Sequence, residues 1–301
     1  MPQDYPPGRG RVSLEAAGIP IEGVSIAGHE SFYKLPTFKT LLEFGRAPED
    51  VVGYATVSVS HGHLDHMAGL AHYASRRRLA ELPRARVLVP AEAAPDVSCW
   101  VEACQRLERI DYDLEIVPAS PGDRLRLRND LELTVLPGRH RVPTVGYLFS
   151  EVRHKLRDEL VGKEGSAIAA LRAAGAEVTR AEQIPLLAYP GDCSAEIFEV
   201  CPELFTSRVL LLECSFLLPE DRDRAREYGH IHLDDIVGNA ERFENEAVVL
   251  THFSQRYSTP EIRAALKSLP EPLRGKTSAF LPPPPSEETG ATDGAWRRPP
   301  A

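Results

Sequence analysis

The stretch VSVSHGHLDHMAG, residues 57–69, constrains this chain more than any other, because it sets His61, His63, Asp65 and His66 within six positions of a sequence holding ten histidines in all. The β-branched alternation of YATVSVS precedes it and the amphipathic run DHMAGLAHYASRRRLAEL follows, so the pattern reads strand, loop, helix. At the chain's own His and Asp frequencies such a cluster would arise by chance on the order of once in a thousand chains of this length. A solvated loop that happens to be rich in histidine is therefore the weaker reading. His61 and His63 alternate at the end of a strand and share a side, and the turn that follows can bring Asp65 and His66 back toward a neighbouring point. Imidazole nitrogens and a carboxylate converging on one place are what zinc selects.

Three more metal-type residues stand at the ends of predicted strands: His140 in LTVLPGRHRVPTVGY, Asp192 in LLAYPGDCS and His252 in VVLTHFSQRY. Taken singly, each has an ordinary explanation as a loop histidine, a turn aspartate or a histidine closing a buried strand. Taken with the cluster, they call for a fold whose strand ends meet along one edge. The remaining patterning fits such a fold. Short β-rich runs (GVSIAG, YATVSVS, RVLVP, LEIVPA, LRLRN, LELTVLP, VGYLFSEV) fill the first half with helices between them, and IPLLAYPGD, RVLLLECSF and EAVVLTHFS return in the second. Alternation in two halves predicts an α/β sandwich of two mixed sheets flanked by helices. The expected domain runs over 22–280, with a helical insert at 151–185 containing KLRDEL and GSAIAALRAAG. Residues 1–21 are expected to be a partly disordered lead-in, and the proline- and glycine-rich 281–301 a disordered tail.

Several classes drop out on composition. No apolar run reaches the eighteen or so residues of a membrane span, and MPQDYPPGRGRV lacks the apolar core of a signal peptide. Five cysteines without a C-x-x-C pair fit a reducing cytoplasm better than a disulfide framework. A net charge of -9 argues against holding nucleic acid by overall field, so any RNA contact must be local. The arginines of SRRRLAELPRAR and RLRLR, and His154, Lys155 and Arg157 of the insert, are candidates for such contacts. A solvated helix face is the stronger reading for Arg76, Arg77 and Arg78, and His29 and His72 read as structural or surface residues.

The order H-x-H-x-D-H, then His, Asp and His, resembles the metallo-β-lactamase superfamily, an αββα sandwich with a two-metal site. Within it LLLECSF, AREYGHIH and LTHFSQRY resemble segments of the ribonuclease Z branch, over about residues 22–280. The resemblance implies that His61, His63 and His140 bind one zinc, that Asp65, His66 and His252 bind a second, and that Asp192 bridges the two. It further implies phosphodiester cleavage of RNA 3′ ends by a metal-bridging hydroxide. His230 would serve as proton donor, Glu213 would orient it, and Asp65 would have a second role in orienting the attacking oxygen. Family members are often dimers, which makes a homodimer the expectation.

Where the resemblance implies an aspartate ahead of the cluster, this chain has Glu43 in LLEFG, one methylene longer and placed to support the ligands from behind. His232 reads as another supporting or structural residue. Ligand type leaves manganese and iron open beside zinc. The insert is short for a ribonuclease Z, which keeps a small ester, thioester or cyclic phosphodiester as an alternative substrate. A metal-loaded binding or sensor protein with little turnover is the alternative of another class.

Overall fold

A computed structural model describes Tyr5 and residues 8–283. Among the described residues fourteen strands form two seven-stranded sheets. The first holds β1 (Val12–Ala16), β2 (Ile19–Ile26), β3 (Glu30–Leu35), β4 (Thr40–Leu42), β5 (Thr56–Ser58), β6 (Ala85–Pro90) and β7 (Leu114–Ala119) in chain order. The second holds β8 (Arg124–Arg128), β9 (Leu131–Pro137), β10 (Val145–Leu156), β11 (Thr179–Tyr189), β12 (Val209–Glu213), β13 (Ala247–Thr251) and β14 (Thr277–Ala279). Each sheet begins with antiparallel neighbours and ends with parallel ones: β1 to β4 and β8 to β11 are antiparallel, β4 to β7 and β11 to β14 parallel. The sandwich expected from the alternation of strands and helices is the fold observed.

Period-two alternation explains how four layers share three cores. Along β12, Val209 and Leu211 face the first sheet and share a core with its Tyr33 and with Leu133, Tyr147 and Val249 of their own sheet, while Leu210 and Leu212 face the outer helices beside Phe198, Leu204 and Ile236. All five residues of β12 are buried, as a strand covered on both faces requires. On the far side, Val57 and Val87 of the first sheet meet Leu70, Tyr73 and Val97 from the helices Leu70–Leu79 and Ala94–Glu108. The carboxyl ends of β5, β9, β11, β12 and β13 open onto one edge, where a ligand of an α/β sheet is expected to bind.

Three expectations change. The described part of the lead-in 1–21 is not separate from the domain: β1 pairs with β2 from Val12↔Gly23 to Ala16↔Ile19, and Val12, Ala16 and Ile19 are buried between the sheets; residues 1–4, 6 and 7 lie outside the described part. The insert is chiefly a β-hairpin, in which KLRDEL begins as the end of β10 and only Gly165–Ala173 is α-helical. Cross-strand pairing from Glu151↔Ile184 to Leu156↔Thr179, with Lys155 Nζ 2.6 Å from Glu182, overrides the helical preference of that stretch. Leu281, counted with the tail, is buried against the second sheet's core; residues 284–301 lie outside the described part.

Among the described residues no helix is long and apolar enough to cross a membrane, and all five cysteines are free thiols. The lead into β1 is fastened electrostatically through Arg11. Asp50 accepts two bonds from the Arg11 guanidinium, at 2.6 and 2.9 Å, and one from Lys34 Nζ at 2.7 Å. Arg11 first and Lys34 second hold its carboxyl down to about 2. A folded pKa below the unfolded one means stability that is present above about pH 4 and lost as pH falls toward 2. The Asp50 side chain is 40% exposed, so screening reduces this contribution to about 1 kcal/mol. Asp50→Asn should therefore lower the unfolding free energy by about that amount near pH 7, and the gap between the two chains should close in acid. A gap that is constant with pH would contradict this account.

Candidate metal centre

The carboxyl end of β5 runs through Ser60 into His61, which bridges to Thr144 on the loop after β9. The short helix Leu64–Met67 then carries Asp65 and His66, with His63 at its start. Two backbone amides, Phe44 N at 2.7 Å and Gly45 N at 3.1 Å, clasp the His66 carbonyl and fix the cluster against the loop that follows β4. Gly191, with φ +70°, lets the β11 loop approach the cluster: a Cβ there would stand 2.4 Å from Ser60 Cβ. The next residue is Asp192.

Nitrogen and carboxylate atoms of His61, His63, His140 and Asp192 lie within 4.8 Å of one another, as do those of Asp65, His66 and His252. Asp192 Oδ2 stands between the groups, 3.8 Å from His61 Nε2 and 3.4 Å from both His66 Nε2 and His252 Nε2. Asp65 Oδ2 is 3.6 Å from His66 Nε2, 3.4 Å from His252 Nε2, and accepts the Gly28 N–H at 2.8 Å.

Hydrogen bonds behind the rings set which nitrogens face inward. His140 Nδ1 donates to the Gly229 carbonyl at 2.9 Å, so the lone pair of the neutral ring is on Nε2. His252 Nδ1 stands 3.0 Å from Ser215 Oγ, which itself donates to Glu213 Oε2 at 2.8 Å and so accepts from His252. The ring atoms His61 Nε2, His63 Nδ1 and His140 Nε2 meet at 2.9 and 3.3 Å. A shared proton can satisfy one such pair, and the remaining lone pairs call for a cation. His66 Nδ1 is buried without a hydrogen-bond partner, 3.6 Å from Glu43 Oε1. This donor set of imidazoles and carboxylates fits divalent metal, zinc foremost.

The titration pattern of the bare chain agrees. Burial holds the His61 ring far below its ordinary pKa. Burial opposes charge on His66 too, but Asp192 and then Glu43 outweigh it and keep the ring protonated. Burial would raise Asp192, yet His252 and His66 hold it well below the usual carboxylate range. The protein thus keeps a positive charge where a cation would sit, and metal binding must displace a proton.

Beside this centre, His230 Nδ1 is 2.7 Å from Glu213 Oε1, and Glu213 is 1% exposed. Burial works against charge on the His230 ring, the Glu213 carboxylate outweighs it, and the pKa is pushed up to about 9. One carboxylate therefore ties together His230, the Cys193 amide next to Asp192 and, through Ser215, His252. Ser215 is the residue that sequence reasoning passed over. Its only signal was its position two residues after Glu213 at a strand end.

Glu43, at φ +59°, accepts the Ser60 amide and the Tyr189 hydroxyl, so it braces both the His61 and the Asp192 loops. His232 does not join the cluster. Its Nε2 donates to the Leu218 carbonyl, and its Nδ1 accepts the Asp234 amide as the cap of the helix Leu233–Gly238, so it only fixes the turn behind His230. A cavity of about 440 Å³ opens in front of the centre, lined in part by His63, His230, Arg141, Phe216 and Tyr228. The arginine patches are largely committed elsewhere. Arg77 is buried on the Val52, Tyr54 and Pro83 carbonyls, Arg76 pairs with Glu49, and Arg153, Lys155, Arg157 and Arg180 of the hairpin all face acidic partners.

The profile of the beta-lactamase superfamily domain matches residues 35–253. The chain is 33% identical over 273 residues to tRNase Z TRZ1 of Arabidopsis thaliana, covering 89% of this chain and 97% of that protein. Among solved structures, the metallo-beta-lactamase fold protein YhfI of Bacillus subtilis superposes with a TM-score of 0.59 at 16% identity, over 90% of this chain and 96% of that one. Human tRNase Z, short form, gives 0.51 at 17% identity over 82% and 92%. At these identities the two structures speak to the fold alone.

Proposed function

The chain belongs to the beta-lactamase superfamily and, within it, to the ribonuclease Z group of metal-dependent phosphodiester hydrolases, and from that premise we propose that it removes 3′ extensions from tRNA-like RNA at a two-zinc centre. The observation that carries this reading is the pair of donor groups with Asp192 Oδ2 standing within 3.8 Å of a nitrogen from each, and the Glu213-held His230 beside them.

His61, His63 and His140 would hold one zinc, Asp65, His66 and His252 the other, and Asp192 would be common to both. Two divalent ions bound there supply Lewis acidity that lowers the pKa of water and neutralises charge on a phosphate oxygen. The protein's own residues do the rest. Asp65, steadied by the Gly28 amide, orients the attacking water. Glu213 binds Nδ1 of His230 and so leaves Nε2 to donate a proton into the cavity, to the ribose oxygen that departs. Phe216, edge-on to His230 with centroids 6.1 Å apart, keeps that side of the ring dry. Five free thiols support a reducing compartment such as the cytoplasm.

The test is incubation of the zinc-loaded protein with a precursor tRNA bearing a 3′ trailer, beside bis(p-nitrophenyl) phosphate and a thioester. A single cut at the junction of the trailer is expected. One observation favours a second reading: Arg153, Lys155, Arg157 and Arg180 of the hairpin are each paired with an acid, which leaves it little charge for gripping RNA. Turnover of the small phosphodiester without any RNA cut would move the substrate there, and turnover of the thioester alone would overturn the phosphodiesterase reading.

A further inference from the structure

The cavity in front of the centre has one aromatic face that the chemistry above does not use. Tyr228 is 41% exposed, ends the helix Arg222–Tyr228, and stands two residues before His230. The Arg141 guanidinium lies 5.8 Å over its ring. Among the described residues Arg141 has no carboxylate within ion-pair distance, unlike Arg153, Lys155, Arg157 and Arg180 of the hairpin.

This pair is held rigidly to the reacting groups. The helix stops at Gly229 in a left-handed turn of φ +71°, whose carbonyl accepts from His140 Nδ1, and the His230 amide donates back to Ala225. A Cβ on Gly229 would come within 3.1 Å of Arg141 Cγ, so the two loops pack closely. Tyr228 and Arg141 therefore stay in register with the centre.

A phosphodiester alone has no use for an aromatic face and a planar cation at this distance, whereas a nucleobase does. Unpaired bases are bound by stacking on aromatic rings and guanidinium planes whatever their identity. We propose that Tyr228 and Arg141 form a nucleobase subsite, which takes the unpaired base of the nucleotide whose ribose oxygen leaves with the proton of His230. The assignment to that nucleotide follows from Tyr228 lying on the His230 side of the cavity, and it rests on the ribonuclease reading given above.

The experiment pairs enzyme and substrate changes. Wild type, Tyr228→Ala and Tyr228→Phe are assayed on a cleavable RNA, intact or made abasic on one or the other side of the cut, with product analysis identifying the leaving side. Circular dichroism and zinc content check that each variant is folded and loaded. Tyr228→Ala should lower kcat/KM on intact RNA on the order of tenfold or more, and Tyr228→Phe should restore it. The abasic nucleotide on the leaving side should cost the wild type a similar factor and Tyr228→Ala almost nothing further. Equal losses by Tyr228→Ala on intact and leaving-side abasic RNA, no loss at all, or coupling only to the opposite nucleotide, would each overturn the subsite. Failure of the wild type to cut any RNA would overturn the ribonuclease reading and the subsite with it, so the two failures are distinct.

Discussion

Replacing Asp192 by alanine is expected to abolish turnover of a phosphodiester, on the order of a thousandfold or more, and to reduce the metal held per chain. The reason lies in its position. Asp192 Oδ2 is within 3.8 Å of inward nitrogens from His61, His66 and His252, which belong to both donor groups. Under the proposed two-metal reading, removing it would take a ligand from each group, and it takes a negative charge from a buried place where several imidazoles gather. In the bare chain it also strips His66 of the foremost charge that keeps its ring protonated. Parallel measurement of metal content and bis(p-nitrophenyl) phosphate hydrolysis checks the prediction, and full metal content with intact activity would refute the role of Asp192.

The second large effect is expected at His230, with the opposite signature. His230→Ala should keep its metal and lose on the order of a hundred- to ten-thousandfold in kcat on RNA, the range of a missing general acid. The loss should be much smaller on a p-nitrophenyl ester, whose phenolate leaves without protonation, than on RNA, whose ribose alkoxide does not. Glu213→Gln should follow the same pattern more weakly, since it keeps an acceptor for His230 but removes the charge that holds the ring protonated. Equal losses on both substrates would point to a structural defect rather than to proton donation.

The sequence made much of the architecture legible because local pattern and tertiary role coincide there. His61, His63, Asp65 and His66 occupy one strand end, one turn and the start of one helix, so their convergence is nearly a local property. The apolar run of RVLLLECSF reads as a strand, and Val209 to Leu212 lie in one that is buried throughout. What stayed hidden depends on residues distant in sequence. Ser215 matters because β13 delivers His252 beside it, and the Gly229 carbonyl because the loop after β9 brings His140 to it. His232 reads from sequence as supporting or structural, and its neighbours make it a helix cap. KLRDEL has helical preference, but a partner strand with Glu182 opposite Arg153 holds its first residues extended.

The central claim is that two adjoining donor groups sharing Asp192 hold the metals that cleavage requires. The most direct measurement is a zinc titration of the metal-stripped chain, with bound metal and phosphodiester hydrolysis followed in the same samples. The account predicts no hydrolysis without metal and a rate that climbs with occupancy and levels off at two ions per chain. Undiminished hydrolysis by the stripped chain, or saturation of both binding and rate at a single ion, would contradict it.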